Sequence, residues 1–229
     1  MRTTMFIFLI GVTWNLQSQT LEVKRKANFF SLSPIHSKVE QVNGLVMGVG
    51  HYDNKKIKKQ VINGLNIDVI HPAPLLFLSF GLDIPFQSAL LGITYDGSTG
   101  IHLVDDIGTD QSWLTMNGLN LSVGGFYSGT NFNGLNISLF AALNKMNGLS
   151  MSPVFNAAGI SNGLQLSVLS NYTYKGNGLQ LAVSNVADQF HGVQIGLFNN
   201  SSNQRGVQIG LWNKNEKRSL PFINWQFKG

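Results

Sequence analysis

The chain is predicted to be all-β, a single repeat domain wound as a β-solenoid of about 14–15 residues per coil. Three observations predict this: a short unit that recurs, a two-residue alternation inside it, and the same approach to every strand. The unit, close to N-G-L-x-[LI]-S-[VL], begins at Asn43, Asn63, Asn117, Asn133, Asn147, Asn162 and Asn177. Two variants follow, Gly192-Val193-Gln194-Ile195-Gly196-Leu197 and Gly206-Val207-Gln208-Ile209-Gly210-Leu211. From Gly118 to Gly206 the unit glycines are spaced by 16, 14, 15, 15, 14 and 14 residues.

Each unit alternates. Leu164, Leu166 and Val168 share one parity and Gln165 and Ser167 the other, as do Leu179, Leu181 and Val183 against Gln180 and Ala182. Period two over six or seven residues marks a half-buried strand, and Asn-Gly ahead of it is turn chemistry. The apolar parity is expected to face the core. Asn120, Asn136, Ser150, Gln165, Gln180, Gln194 and Gln208 are then expected to align outside as a hydrogen-bonded amide ladder.

The alternative for such strands is an antiparallel outer-membrane β-barrel. A meander alternates short turns with long loops, whereas these spacings show no odd–even difference. An apolar residue also stands two before the glycine in many units: Val42, Ile62, Met116, Phe132, Met146 and Phe190. Identical approach in each copy suits coils that all run one way. A coil of this length at roughly 3.3 Å per residue has a perimeter of about 48 Å, enough for a thin core.

The ends and one interruption depart from the pattern. Phe30-Ser31-Leu32-Ser33-Pro34 resembles Leu149–Pro153 and reads as a degenerate opening copy, and Leu220–Asn224 as a closing one. Residues 71–115 break the period and read as an irregular insertion, with apolar runs at Leu75–Phe80 and Ala89–Tyr95 before a turn-rich acidic stretch, Asp96–Asp110. Residues 1–19 read as a secretory signal peptide: Arg2, then a ten-residue apolar run, Met5–Trp14, too short to span a bilayer. The β-repeat domain is then residues 20–229, cleaved after Gln19.

Composition narrows the chemistry. There is no cysteine, which excludes disulfides, thiolate metal sites and a cysteine nucleophile. Charged residues are 12% and the net charge is +5, basic but too sparse for a nucleic-acid binder. Between Gly118 and Trp212 only Lys145, Lys175, Asp188 and Arg205 are charged, so that stretch is expected to meet partners through amides and shape.

The tandem Gly192–Asn199 and Gly206–Asn213 resembles bacterial exported surface-repeat proteins built from G-[LV]-Q-[LI]-G-L-x-N units. The likeness covers about 118–225 well and 29–70 loosely, and departs where Ser122, Ser138 and Ser167 replace the inner glycine. It implies a Gram-negative cell-surface or envelope location and no particular chemistry.

The motifs that could carry chemistry are weak. Gly159-Ile160-Ser161-Asn162-Gly163 matches G-x-S-x-G, but a strand follows where the nucleophile elbow needs a helix. His36, His51, His71, His102 and His191 have no metal-ligand spacing. Asp105, Asp106 and Asp110 beside His102 lack the alternating ligands and closing Glu of a calcium loop. Lys24-Arg25-Lys26 and the run Lys55, Lys56, Lys58, Lys59 read as solvated, with an anionic surface as the functional alternative.

These readings lead to one expectation. The chain is a non-catalytic, exported repeat protein of the envelope or cell surface, a scaffold or adhesin-like binding module, with a porin-like outer-membrane barrel as the alternative. It is expected to have no catalytic, cofactor or metal site. Its partner is undefined, with envelope glycan, lipopolysaccharide or another surface protein as candidates and no nucleic acid. Its location is outside the cytoplasm, at the cell surface, outer membrane or periplasm.

Overall fold

The computed structural model describes residues 27–51, 59–69, 112–126 and 129–227. They contain eleven strands and no helix: β1 (Ala27–Ser33), β2 (Gln41–Gly48), β3 (Gln60–Asp68), β4 (Leu114–Ser122), β5 (Thr130–Ser138), β6 (Phe140–Met151), β7 (Phe155–Leu166), β8 (Ser170–Leu181), β9 (Ser184–Ile195), β10 (Phe198–Lys214) and β11 (Ser219–Gln226). The strands lie side by side in chain order in one sheet, parallel from β1 to β10.

Apart from β3 and β4, parallel neighbours are joined by eleven residues or fewer, which requires the chain to circle back each time, so the strands stack as successive coils of a solenoid. The antiparallel barrel is thereby overturned. β1 and β11 stand at opposite ends of the sheet, where a barrel would pair them.

The register follows the repeat. Gly44, Gly64, Gly118, Gly134, Gly148, Gly163, Gly178, Gly192 and Gly206 form one column along the stack. Only glycine fits there. Gly163 has φ +136°, and a Cβ on it would lie 1.9 Å from the Gly148 carbonyl oxygen. On the far side of the long coils the register skips one residue, at Asn144, Gly159, Tyr174 and Asp188, which marks a second bend.

Both end copies take part, one of them differently than expected. β1 continues the parallel stack, with Phe30 beside Leu45 and Leu32 beside Met47. β11 instead runs antiparallel to β10, with Asn224 beside Gln208. It caps the edge with Pro221 and charged neighbours that discourage further pairing. The stack also resumes in phase after the interruption, because Asn63 of β3 pairs directly with Asn117 of β4. Leu114 and Thr115, assigned to the insertion from sequence, belong to β4. The remainder of 71–111 and the expected signal peptide lie outside the described residues.

The interior changes composition along its length. An apolar cluster that includes Val42, Val46, Ile62, Leu114, Met116, Phe132, Leu143 and Met146 fills the first coils. Beyond Ala158 the buried positions are mostly polar or small: Asn171, Thr173, Gln180, Asn185, Gln194, Ser201, Gln204, Gln208 and Asn213, with Phe190 as the one large apolar residue among them.

Candidate interaction face

The expected faces are inverted. Gln165, Gln180, Gln194 and Gln208 are each 0% exposed, while Leu164 is 40% and Leu181 42% exposed. The ladder read from the sequence exists, but it runs through the interior. Asn66 Nδ2 donates to Asn120 Oδ1 at 2.7 Å, Asn120 to Asn136 at 2.7 Å, and Asn136 to the Ser150 hydroxyl at 2.9 Å. From the other end Asn224 donates to Gln208 at 3.2 Å, and Gln208 to Gln194 and Gln194 to Gln180 at 2.8 Å each.

The physical reason is satisfaction. A buried amide left unpaired costs about 1–3 kcal/mol, but a column in parallel register places each carbonyl oxygen against the next amide nitrogen. A second buried column, Asn171–Asn185–Asn199–Asn213, does the same at 2.7–2.9 Å. Its nitrogens also hold backbone carbonyls, such as Leu181, Ile195 and Ile209, each at 2.8–3.0 Å. Gly196 and Gly210 make room for it, since a Cβ there would sit 2.7 Å and 2.6 Å from the Asn185 and Asn199 amide nitrogens.

Inverting the faces puts the apolar parity outside. The residue after each unit glycine forms one column: Phe30, Leu45, Leu65, Leu119, Leu135, Leu149, Leu164, Leu179, Val193, Val207 and Trp225. Two residues on lies a parallel column: Leu32, Met47, Ile67, Leu121, Ile137, Met151, Leu166, Leu181, Ile195, Ile209 and Ile223. No polar residue interrupts either column, and none of these side chains is buried. Val49, Val69, Val123, Leu139, Val168, Leu197 and Leu211 extend the face at the third outward position.

Eleven strands at about 4.8 Å span roughly 48 Å, and three outward positions add about 14 Å of width. The product, roughly 700 Å², exceeds the 300–600 Å² of the largest apolar patch on a typical monomer. Burying a Leu or Ile side chain fully is worth about 1.5–3 kcal/mol, so leaving this face in water forgoes a gain on the order of 10 kcal/mol or more.

The borders of the face are polar. Along one long edge Asn43, Asn63, Asn117, Asn133, Asn147, Asn162 and Asn177 form a third, outer ladder, each amide nitrogen 2.6–3.1 Å from the preceding oxygen. Arg205 stands in register with that ladder, and Lys145 and Lys175 two positions farther from the face; all three are exposed. That flank continues with Tyr174, Gln189, Ser202 and Asn203, all exposed, Gln189 and Asn203 being in register with Lys175. There the Tyr172 hydroxyl donates to Asp188 at 3.0 Å. Burial, then the neighbouring Asp188 carboxylate, pushes the Tyr172 phenol above its ordinary range. The solenoid is amphipathic, an apolar face bordered by a polar flank.

The residues singled out for chemistry lie apart from this face. Ser161 is buried inside β7, whose strand runs through it, so the G-x-S-x-G segment forms no strand-to-helix elbow. His36 and His191 are exposed and separate, and His71, His102 and the Asp105–Asp110 stretch lie outside the described residues, as do Lys24–Lys26 and most of the Lys55–Lys59 run. Among the described residues no three His, Asp or Glu side chains gather as a metal site.

Sequence reading missed one buried cluster. Asp68 Oδ1 accepts from the Ser33 hydroxyl at 2.6 Å and Oδ2 from Asn66 Nδ2 at 2.7 Å, with His51 Nε2 3.6 Å from the same Oδ2. His51 also meets Asn66 Oδ1 at 3.0 Å and stacks on Phe126. Here the carboxylate, not the histidine, meets the serine hydroxyl, the reverse of the order in a Ser-His-Asp triad, and all three are buried. The cluster terminates the amide ladder. Residues 33, 51 and 68 share no motif that could have announced it.

No family model, curated protein or solved structure matches the chain.

Proposed function

We propose that this chain is a non-catalytic, exported protein of the bacterial envelope, acting as a scaffold or binding module through one face of its solenoid. The observation that carries the reading is the pair of uninterrupted apolar columns on the outside of an amide-filled stack. A face of that size and regularity on a rigid support favours contact with another surface, and its chemistry offers no acid, base or nucleophile in register. The short apolar segment near the N-terminus supports export, as does the resemblance of the Gly192–Asn213 tandem to surface-repeat proteins.

Expression in a Gram-negative host, followed by fractionation and N-terminal sequencing, tests the location. The exported protein should begin near Thr20, and a full-length chain retained in the cytoplasm would overturn the assignment.

A further inference from the structure

We infer that the apolar face lies on an anionic lipid surface, its aliphatic side chains in the boundary between headgroups and acyl chains. The inference rests on the reading that this face is a contact surface, and it does not depend on export.

Composition separates lipid from a protein partner. Even homodimer interfaces are only about 65% apolar, because protein surfaces pair through some polar groups. Here both columns are apolar at every one of the eleven strands. Strands with apolar residues outward and polar residues inward are the arrangement used against hydrocarbon. In this chain it covers one side only, since the flank beyond the glycine bend exposes Lys175, Gln189 and Asn203. Such one-sided amphipathicity fits a body lying in the interface rather than crossing it, where an apolar face sinks about 5–10 Å.

The edges fit the same surface. Arg205 is exposed in register with the border ladder, and Lys145 and Lys175 are exposed two positions farther out on the flank, where long side chains can extend towards phosphate. Trp225 sits in the first column at the capped end and Trp212 beside Leu211, both about half exposed. Their rings combine an apolar body with a polar N–H, as the headgroup level favours. The face itself carries no charge that would have to be desolvated.

Methionine oxidation reads the occupancy directly, because Met47 and Met151 belong to the outer column while Met116 and Met146 are buried within the stack. The purified protein is exposed to dilute peroxide, alone and with phosphatidylcholine vesicles that contain or lack phosphatidylglycerol, and sulfoxide is located by mass spectrometry. Met47 and Met151 should oxidise readily in the lipid-free protein and about tenfold more slowly with the anionic vesicles. Met116 and Met146 should stay slow throughout. Replacing Lys145, Lys175 and Arg205 by Gln should weaken flotation with the anionic vesicles by about fivefold per charge while leaving the circular dichroism unchanged.

Equal oxidation of Met47 and Met151 with and without vesicles would overturn the inference. So would protection in the absence of lipid: sedimentation as a dimer would then assign the face to a second copy, and a protected monomer to the chain's own remaining residues. Flotation that ignores both phosphatidylglycerol and the triple substitution would remove the anionic surface as the partner. None of these outcomes bears on whether the chain is exported, which the N-terminal sequence decides.

Discussion

Gln180 Nε2 donates to Gln165 Oε1 at 2.9 Å, and the same oxygen also accepts from the Thr173 hydroxyl at 2.6 Å. Gln165 is where two runs of amides meet head-on. From Asn66 the donors point up the stack and end on Ser150, while from Asn224 they point down and end on Gln165. Ser150 and Gln165 are register neighbours, so the junction falls between β6 and β7. The acceptor ends of the two runs thus meet there, each oxygen turned towards its own donor, and Thr173 supplies a second donor to Gln165.

Shortening Gln165 should therefore harm the fold more than charging its outward neighbour. Gln165→Ser withdraws the acceptor from Gln180 and Thr173 inside the stack, at a cost of about 2–4 kcal/mol. Leu166→Asp places its carboxylate on the partly exposed outer face and should cost under about 1 kcal/mol without lipid. Urea denaturation of both variants decides it. Unfolding by Leu166→Asp with a near-neutral Gln165→Ser would restore the apolar-inside arrangement.

Gly163→Ala meets two obstacles at once, a φ of +136° and the Gly148 carbonyl oxygen 1.9 Å from the new Cβ. The backbone of one coil would have to lift off the next, so a loss of more than about 3 kcal/mol is expected. Thermal melts of this variant beside Asn162→Ala separate the needs of the glycine from those of the turn dipeptide. Asn162 makes two rungs of the outer ladder, at 2.8 and 3.1 Å. Its loss near solvent should cost only about 1–2 kcal/mol.

Tyr172 should give the stability a basic limit. Its phenol ionises less readily in the folded chain than at the ordinary value of 10.0, because burial and then Asp188 both disfavour the phenolate. The unfolded chain therefore releases this proton first. The stabilisation is complete below pH 10 and declines as the pH rises further towards the folded value. Denaturation midpoints measured from pH 9 to 11 should fall at the upper end, and Tyr172→Phe should flatten that fall. An unchanged slope in the variant would assign it to other groups.

The repeat was legible because every coil reuses the same glycine position, and a column of glycines in parallel register follows from that regularity. The ladder positions were legible too, from Asn120 through Gln208. What the pattern left open was which parity faces inward. Two apolar sets of opposite parity stand in the sequence, Leu164 with its equivalents one after the glycine, and Val42, Ile62, Met116, Phe132, Met146 and Phe190 two before it. Both cannot lie on one side of the same strand. The second set is buried, at 0–1% exposure, and shares its parity with the glutamines. Hydrophobicity favoured the more regular set, whereas stacking in register lets amides satisfy one another and releases the leucines to the outside. The Ser33–His51–Asp68 cluster had no such signal, since the fold alone brings those positions together.

The column of glycines also makes the molecule a ruler with a fixed graduation. Gly178, Gly192 and Gly206 are interchangeable seats, each stacked on the one before. Removing or duplicating one whole period would set like on like again and alter the length by about 4.8 Å. The unequal spacings of 14 to 16 residues show where slack is absorbed, away from the seats themselves. The length of the stack is thus adjustable in single increments by copying a short stretch of coding sequence, where neighbouring coils share the same interior, as from β8 to β10.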